Sequence, residues 1–205
     1  MIAPGMDRPS SPLELRHAST GRAIFVVVPD RRLLAIHGVG PRDAADFRLA
    51  TGVLRTVAEI VRSTLPHDRR AGPARQLLEI TWPIDCGVTV DEAVAALDDP
   101  RQRWRQLIEL PRFATEAAVG RAIDEARRRG GRDIPLVQLS HVREGRAAQV
   151  LRTAGEPPSA CVKRLLGLVL EAGWRPTGDL HELVLADPAD VGRDRARSIV
   201  RVPIG

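Results

Sequence analysis

Residues Leu180–Pro188 read LHELVLADP, and residues Leu77–Trp82 read LLEITW. Each is a short, strand-like apolar run that carries one glutamate, Glu182 in the first and Glu79 in the second. A lone carboxylate desolvated in such a run costs several kcal/mol unless something compensates. Either it faces water or an arginine, as polar strand residues ordinarily do, or it serves a site. The two runs also echo each other, and that echo decides how the rest of the chain is read.

Working outward, AIFVVVP and RRLLAIHGVG predict two strands joined by Pro29-Asp30 turn chemistry, a hairpin. The stretch PRDAADFRLATGVLRTVAEIVRS spaces Phe47, Ala50, Leu54, Val57 and Val61 as one helical stripe. LLEITW, a short helical VDEAVAAL and the strand RWRQLIELP follow. ATEAAVGRAIDEARRRGG predicts a connecting helix capped by Thr115 and stopped at Gly130. The order then begins again: IPLVQLSHV and GRAAQVLRTAG as a hairpin, PSACVKRLLGLVLEAGW as a helix, LHELVLAD and RARSIVRVPIG as strands.

The chain therefore reads as α+β, with tandem strand-helix-strand-strand repeats (ββαββ-like halves), antiparallel sheets with helices on one face, and a central ligand groove. Residues 1–21 read as a flexible tail and 22–205 as the domain. Its first half spans about 22–115, its linker helix about 115–130 and its second half about 133–205. Strand alternation puts Glu182 and Val184 on one face and His181, Leu183 and Leu185 on the other. With the leucines under the helices, Glu182 points into a groove on the opposite face, and Glu79 joins it there by the same parity.

Composition excludes several classes. With 205 residues the chain can bury a substantial core. No stretch reaches the roughly 20 apolar residues of a membrane span, and no secretory signal opens the chain, so a cytoplasmic protein is expected. Two cysteines, Cys86 and Cys161, make neither a disulfide framework nor a metal cluster, and neither has a flanking base. GVG at Gly38–Gly40 lacks the spacing of a phosphate cradle. The expectation is no metal and no cofactor. The net charge of +5 comes from scattered arginines, with Lys163 the only lysine, and there is no tyrosine. Direct nucleic-acid binding is not expected. A homodimer is left open.

The ordered set of LLAIHGVG, LLEITW, Trp104 with LIELPRFAT, Glu144-Gly145, the 181–188 segment and SIVRVPI resembles the GyrI-like family of small-molecule-binding proteins. Within it, the chain looks closest to the subgroup of cyclopropanoid cyclopropyl hydrolases, which open the strained ring of DNA-alkylating natural products. The resemblance implies detoxification or self-resistance. Its alternative is a drug-binding or sensing module without a DNA-binding domain of its own. It implies Glu182 and Glu79 as a catalytic acid-base pair, and Trp82, Trp104, Phe113, Val184 and Arg152 as ligand-binding residues. Arg152 stands near where the family has a histidine, and Val184 where it has a tyrosine. Desolvation beside aromatic walls is expected to raise a carboxylate pKa towards neutrality, suiting one glutamate as acid and the other as base. Taken singly, the aromatics read as core. Trp174, His37 and His141 read as structural, and His181 as packing on the helix side.

Overall fold

The computed structural model describes residues 8–12, 14–66, 77–84, 89–97, 99–111, 113–130, 134–186, 192 and 195–205. Cys86, Asp187 and Pro188 lie outside the described residues. Eight strands form one antiparallel sheet: β1 (Ile24–Val28), β2 (Arg31–Val39), β3 (Leu78–Trp82), β4 (Arg103–Glu109), β5 (Gln138–Val142), β6 (Gly145–Arg152), β7 (Leu180–Ala186) and β8 (Arg197–Pro203). Among the described residues four α-helices accompany them: α1 (Ala45–Thr64), α2 (Val90–Leu97), α3 (Glu116–Gly130) and α4 (Pro158–Glu171). The fold is the expected α+β duplication, its sheet curled into a half-barrel.

The helices form where the apolar spacing and caps predict. On α1, Phe47, Ala50, Val53, Leu54, Val57, Ala58 and Val61 make one buried stripe. Fully burying an aliphatic side chain of this size is worth about 1.5–3 kcal/mol. Thr89 and Glu92 close a capping box at the start of α2, the Thr89 N–H donating to Glu92 Oε2 at 2.7 Å and the Glu92 N–H to Thr89 Oγ1 at 3.3 Å. Thr115 caps α3 by accepting the Ala118 N–H at 3.2 Å. Helices α1 and α4 lie against one face of the sheet, with α3 packed on α1 and α2 on α4.

The strand order is β1-β6-β8-β7-β3-β4-β2-β5, which corrects both expected hairpins. β1 does not pair with β2, nor β5 with β6. Ile24 opposes Gln149 and Val28 opposes Gly145; Arg31 then opposes Val142 and Ala35 opposes Gln138. One register runs through both pairings, so β1-β2 and β5-β6 are two long strands lying antiparallel, each bent in the middle. Pro29-Asp30 marks a bend, because proline interrupts a ladder as readily as it starts a turn. The Asp30 carboxylate meets Arg143 Nε at 2.9 Å across the bend. Each half of the duplication therefore lends its first strand to the other half.

Of the segment expected to be a loose tail, described residues between Ser10 and His17 pack on the sheet face away from the helices. The Ser10 N–H donates to the Val27 carbonyl at 2.8 Å, and buried Gln149 Nε2 donates to the His17 carbonyl at 2.6 Å. No helix among the described residues is long and apolar enough to cross a membrane.

Candidate functional site

β3 and β7 pair at the centre of the sheet, where the two halves meet. Ile80 stands opposite Glu182 and Trp82 opposite Leu180, while Glu79 stands opposite Leu183 and Thr81 opposite His181. Directly opposed residues share a face. Leu78, Ile80, Trp82 and Leu180 belong to the core beneath α1 and α4, so Glu182 faces the helices. Glu79, Thr81, His181 and Leu183 face the other way. Three expectations are corrected here: Glu182 lies in a helix-side groove, Glu79 and Glu182 share no groove, and His181 is not on the helix side. The cause is register, since aligning the two runs on their glutamates slips the true equivalence by one residue, which reverses a face.

Glu182 is 2% exposed and sits between two cavities, one of about 320 Å³ and one of about 360 Å³, both also lined by Arg42. The first lobe is walled by Trp82, Leu97, Val162, Leu180 and Val200. The second runs under α1 past Phe47, Thr51, Ile80 and Val184 towards Arg152, Arg197 and Ser198. Arg152 Nη2 donates to Glu182 Oε1 at 2.7 Å, and Arg42 Nη2 contacts Oε2. The Arg42 guanidinium also lies over the Trp82 ring, 4.3 Å from its centroid. Arg152 is itself held, its Nε donating to Ser198 Oγ at 3.0 Å and its Nη1 to the Glu156 carbonyl at 3.3 Å. Burial pushes the Glu182 pKa up, but Arg42, Arg152 and the Ser198 hydroxyl outweigh it and hold the carboxyl at about 2. The expected rise towards neutrality is thus reversed, and Glu182 is a buried, ionised carboxylate.

Glu79 belongs to a separate buried lattice on the far face. Arg31 grips it through Nη1 and Nη2 at 2.7 and 3.0 Å, and His181 Nδ1 lies 2.5 Å from Glu79 Oε1. Arg201 donates through Nε and Nη2 to Glu144 at 2.7 and 3.1 Å, and Arg31 Nη2 contacts the same carboxylate. Burial raises the Glu79 pKa, yet Arg31 and His181 hold it well below the usual carboxylate range. Glu79, Glu144 and His181 bring ligand atoms within 4.8 Å of one another. Each carboxylate already carries guanidinium N–H groups, which supply the countercharge a cation would bring. The lattice ties the bend at Glu144 to the central strands and to β8.

Of the remaining expected site residues, Val184 and Arg152 line the second lobe and Trp82 the first. Trp104 lines neither. It is buried in the core, its ring 5.0 Å from that of Phe47 at an interplanar angle of 70°. Phe113 lines neither and is exposed in the turn before α3. Trp174 packs against the core as expected. Cys161 is buried, and burial pushes its thiol pKa up to about 12, which leaves no thiolate for chemistry. Arg42, Arg48, Arg197 and Ser198 are site residues that the sequence reading missed. Arg42 lies in the loop after Gly40, whose φ of +113° turns the chain out of β2; no periodicity or motif marks such a position.

Solved structures of matching length share the fold of this chain. One is a hydrolase encoded by lin2189 from Listeria innocua, at TM-score 0.76 and 20% identity, covering 94% of this chain and 96% of that one. A conserved protein from the same organism matches at TM-score 0.73 and 22% identity, with the same coverage. The C-terminal domain of EcmrR matches at TM-score 0.55 and 10% identity, covering 90% of this chain and 97% of that one. No protein-family model and no curated protein sequence matches the chain.

Proposed function

We propose that the helix-side groove binds an aromatic or otherwise apolar small molecule and that the protein hydrolyses it, opening a strained cyclopropane ring of the kind carried by DNA-alkylating natural products. The observation that carries this reading is the ionised Glu182 carboxylate, buried at the junction of two cavities, the first of which the Trp82 ring also lines. Such sites typically combine apolar walls with a few placed polar groups. The matching fold and length of the Listeria hydrolase support an enzymatic role.

The chemistry asks little of the protein. Water adds to a cyclopropane carbon, the ring C–C bond breaks, and its electron pair aromatises the fused dienone to a phenolate. The proton lost by the water passes to Glu182 and on to the phenolate oxygen. A carboxylate with a pKa near 2 is a weak base. Its basicity rises if the ligand's ring takes the place of the Arg42 guanidinium on Trp82 and so removes one of its two cations. General base catalysis of this kind contributes about 10² to 10⁴-fold, with the strain of the substrate supplying the remainder. Glu79, on the other face, takes no part in this scheme.

The test is incubation with a cyclopropane-bearing alkylator, with products read by mass. Addition of one water by the wild-type protein, and its loss in Glu182→Gln, are the expected results. Ligand bound but recovered unchanged from the wild-type protein leaves binding and removes the hydrolysis.

A further inference from the structure

The two lobes of the groove differ in charge. The lobe beside Trp82 is mostly hydrocarbon, with Arg42, Asp99 and Glu182 at its margins. Among the described residues, the second lobe is lined by five arginines, Arg42, Arg48, Arg55, Arg152 and Arg197, and by one carboxylate, Glu182. Arg42 and Arg152 both bind that carboxylate, so one negative charge faces two positive ones. Arg48, from α1, and Arg197, from the start of β8, are exposed and have no carboxylate partner among the described residues. The wall between them is apolar, made by Ile80, Val184 and Ala186. A cleft of one sign with low-dielectric walls concentrates its field on whatever enters it.

We infer that the second lobe selects an anionic group, a carboxylate, sulfate or phosphate, borne on the apolar body that the Trp82 lobe receives. The inference rests on the reading of the groove as a binding site and names the class of molecule it takes. Guanidinium groups suit this task because their planar forks match the oxygen pairs of such anions. A cationic ligand, in contrast, would have to approach Glu182 past Arg42, Arg48 and Arg197. Because Arg48 and Arg197 are exposed, the selection is screened by salt, which a purely steric preference would not be.

Calorimetric titration of the full chain with 2-naphthoate, 2-naphthamide and 2-naphthylmethylammonium presents one ring with three charges. At low salt 2-naphthoate should bind about tenfold more tightly than the amide, and the ammonium more weakly than the amide. At about 0.5 M salt the advantage of the anion should shrink to under about threefold. Combining Arg48→Gln with Arg197→Gln should bring 2-naphthoate down to the affinity of the amide and leave the amide unchanged, which also shows that the groove is intact. Equal binding of anion and amide by the wild-type protein, tightest binding of the ammonium, or an anion preference untouched by the two substitutions would overturn the inference while leaving a binding groove. Failure of all three probes to bind would remove the groove reading as well.

Discussion

The guanidinium of Arg42 lies 4.3 Å from the centroid of the Trp82 ring and is paired to Glu182. One side chain, reaching in from a loop, thus covers an aromatic surface and neutralises part of a buried charge. It also stands at the boundary of both lobes. Cation-aromatic contacts of this sort are worth about 0.5–2 kcal/mol depending on desolvation.

Replacing Arg42 by leucine should therefore join the two lobes and raise the Glu182 pKa from about 2, because Arg152 alone remains as its cation. The stability cost should be about 1–3 kcal/mol, below that of a fully buried pair, since the Arg42 side chain is 36% exposed. Carbon-13 titration of the Glu182 carboxyl and urea unfolding read both. An unchanged carboxyl titration would show that Arg42 does not govern the charge of the site.

Acid should destabilise the fold. Burial pushes Glu182 and Glu79 up, but the neighbouring cations hold both below the ordinary value of 4.5, Glu182 at about 2. A group with a depressed folded-state pKa binds fewer protons folded than unfolded. Its contribution is complete above pH ~4.5 and is lost as pH falls towards ~2, amounting for Glu182 to about 3 kcal/mol. Urea midpoints should decline across that window, and Glu182→Gln should flatten the decline. A midpoint that is level or rises between pH ~4.5 and ~2.5 contradicts the assignment.

Glu79→Gln tests the division of labour between the two faces. Removing its charge leaves Arg31, which is 8% exposed, with Glu144 as its one buried carboxylate, and His181 with that same carboxylate at 3.8 Å. Because Glu144 compensates in part, the cost stays at or below that of a fully broken buried pair, about 3–5 kcal/mol. Ligand affinity and turnover in the helix-side groove should be unaltered below the unfolding temperature. Loss of turnover in a folded Glu79→Gln protein would restore it to the chemistry.

Gly38→Ala probes the floor of the core. A Cβ at that position would overlap Trp104 Cζ2, so the indole, which is buried with its ring 5.0 Å from that of Phe47, would have to shift. Overpacking of this kind costs about 1–3 kcal/mol. Thermal unfolding should shift down, accompanied by a changed Trp104 environment in near-ultraviolet circular dichroism. A neutral substitution would mean that the ring can slide aside.

The helices and most strands are legible in the sequence because their signals are local: the α1 stripe from Phe47 to Val61, the Thr115 cap, the proline-bounded strands. Strand pairing is not. A bend at Pro29-Asp30 and a hairpin turn there look alike along the chain, and only contacts with residues more than a hundred positions away tell them apart. The glutamates show the same limit. Glu182 stands out as a charge in an apolar strand, and it is both ion-paired and in the groove, so the two readings of it were not exclusive. Its equivalence with Glu79 rests on similar letters, and a slip of one residue assigns Glu182 to the face away from the helices, where only Glu79 lies. Arg42 and Arg48 gave no signal, since an arginine that reaches a site from a loop or an exposed helix face resembles the many that do not.

The exchange of β1 and β5 makes the duplication a mutual embrace. Neither repeat can complete its own sheet: Gly145–Arg152 takes its outer neighbour from Ile24–Val28, and Arg31–Val39 takes its outer neighbour from Gln138–Val142. A chain severed between α3 and β5 should yield two pieces that stay unfolded apart and regain one fold together. Any ancestral single repeat with this plan would have had to trade strands with a twin.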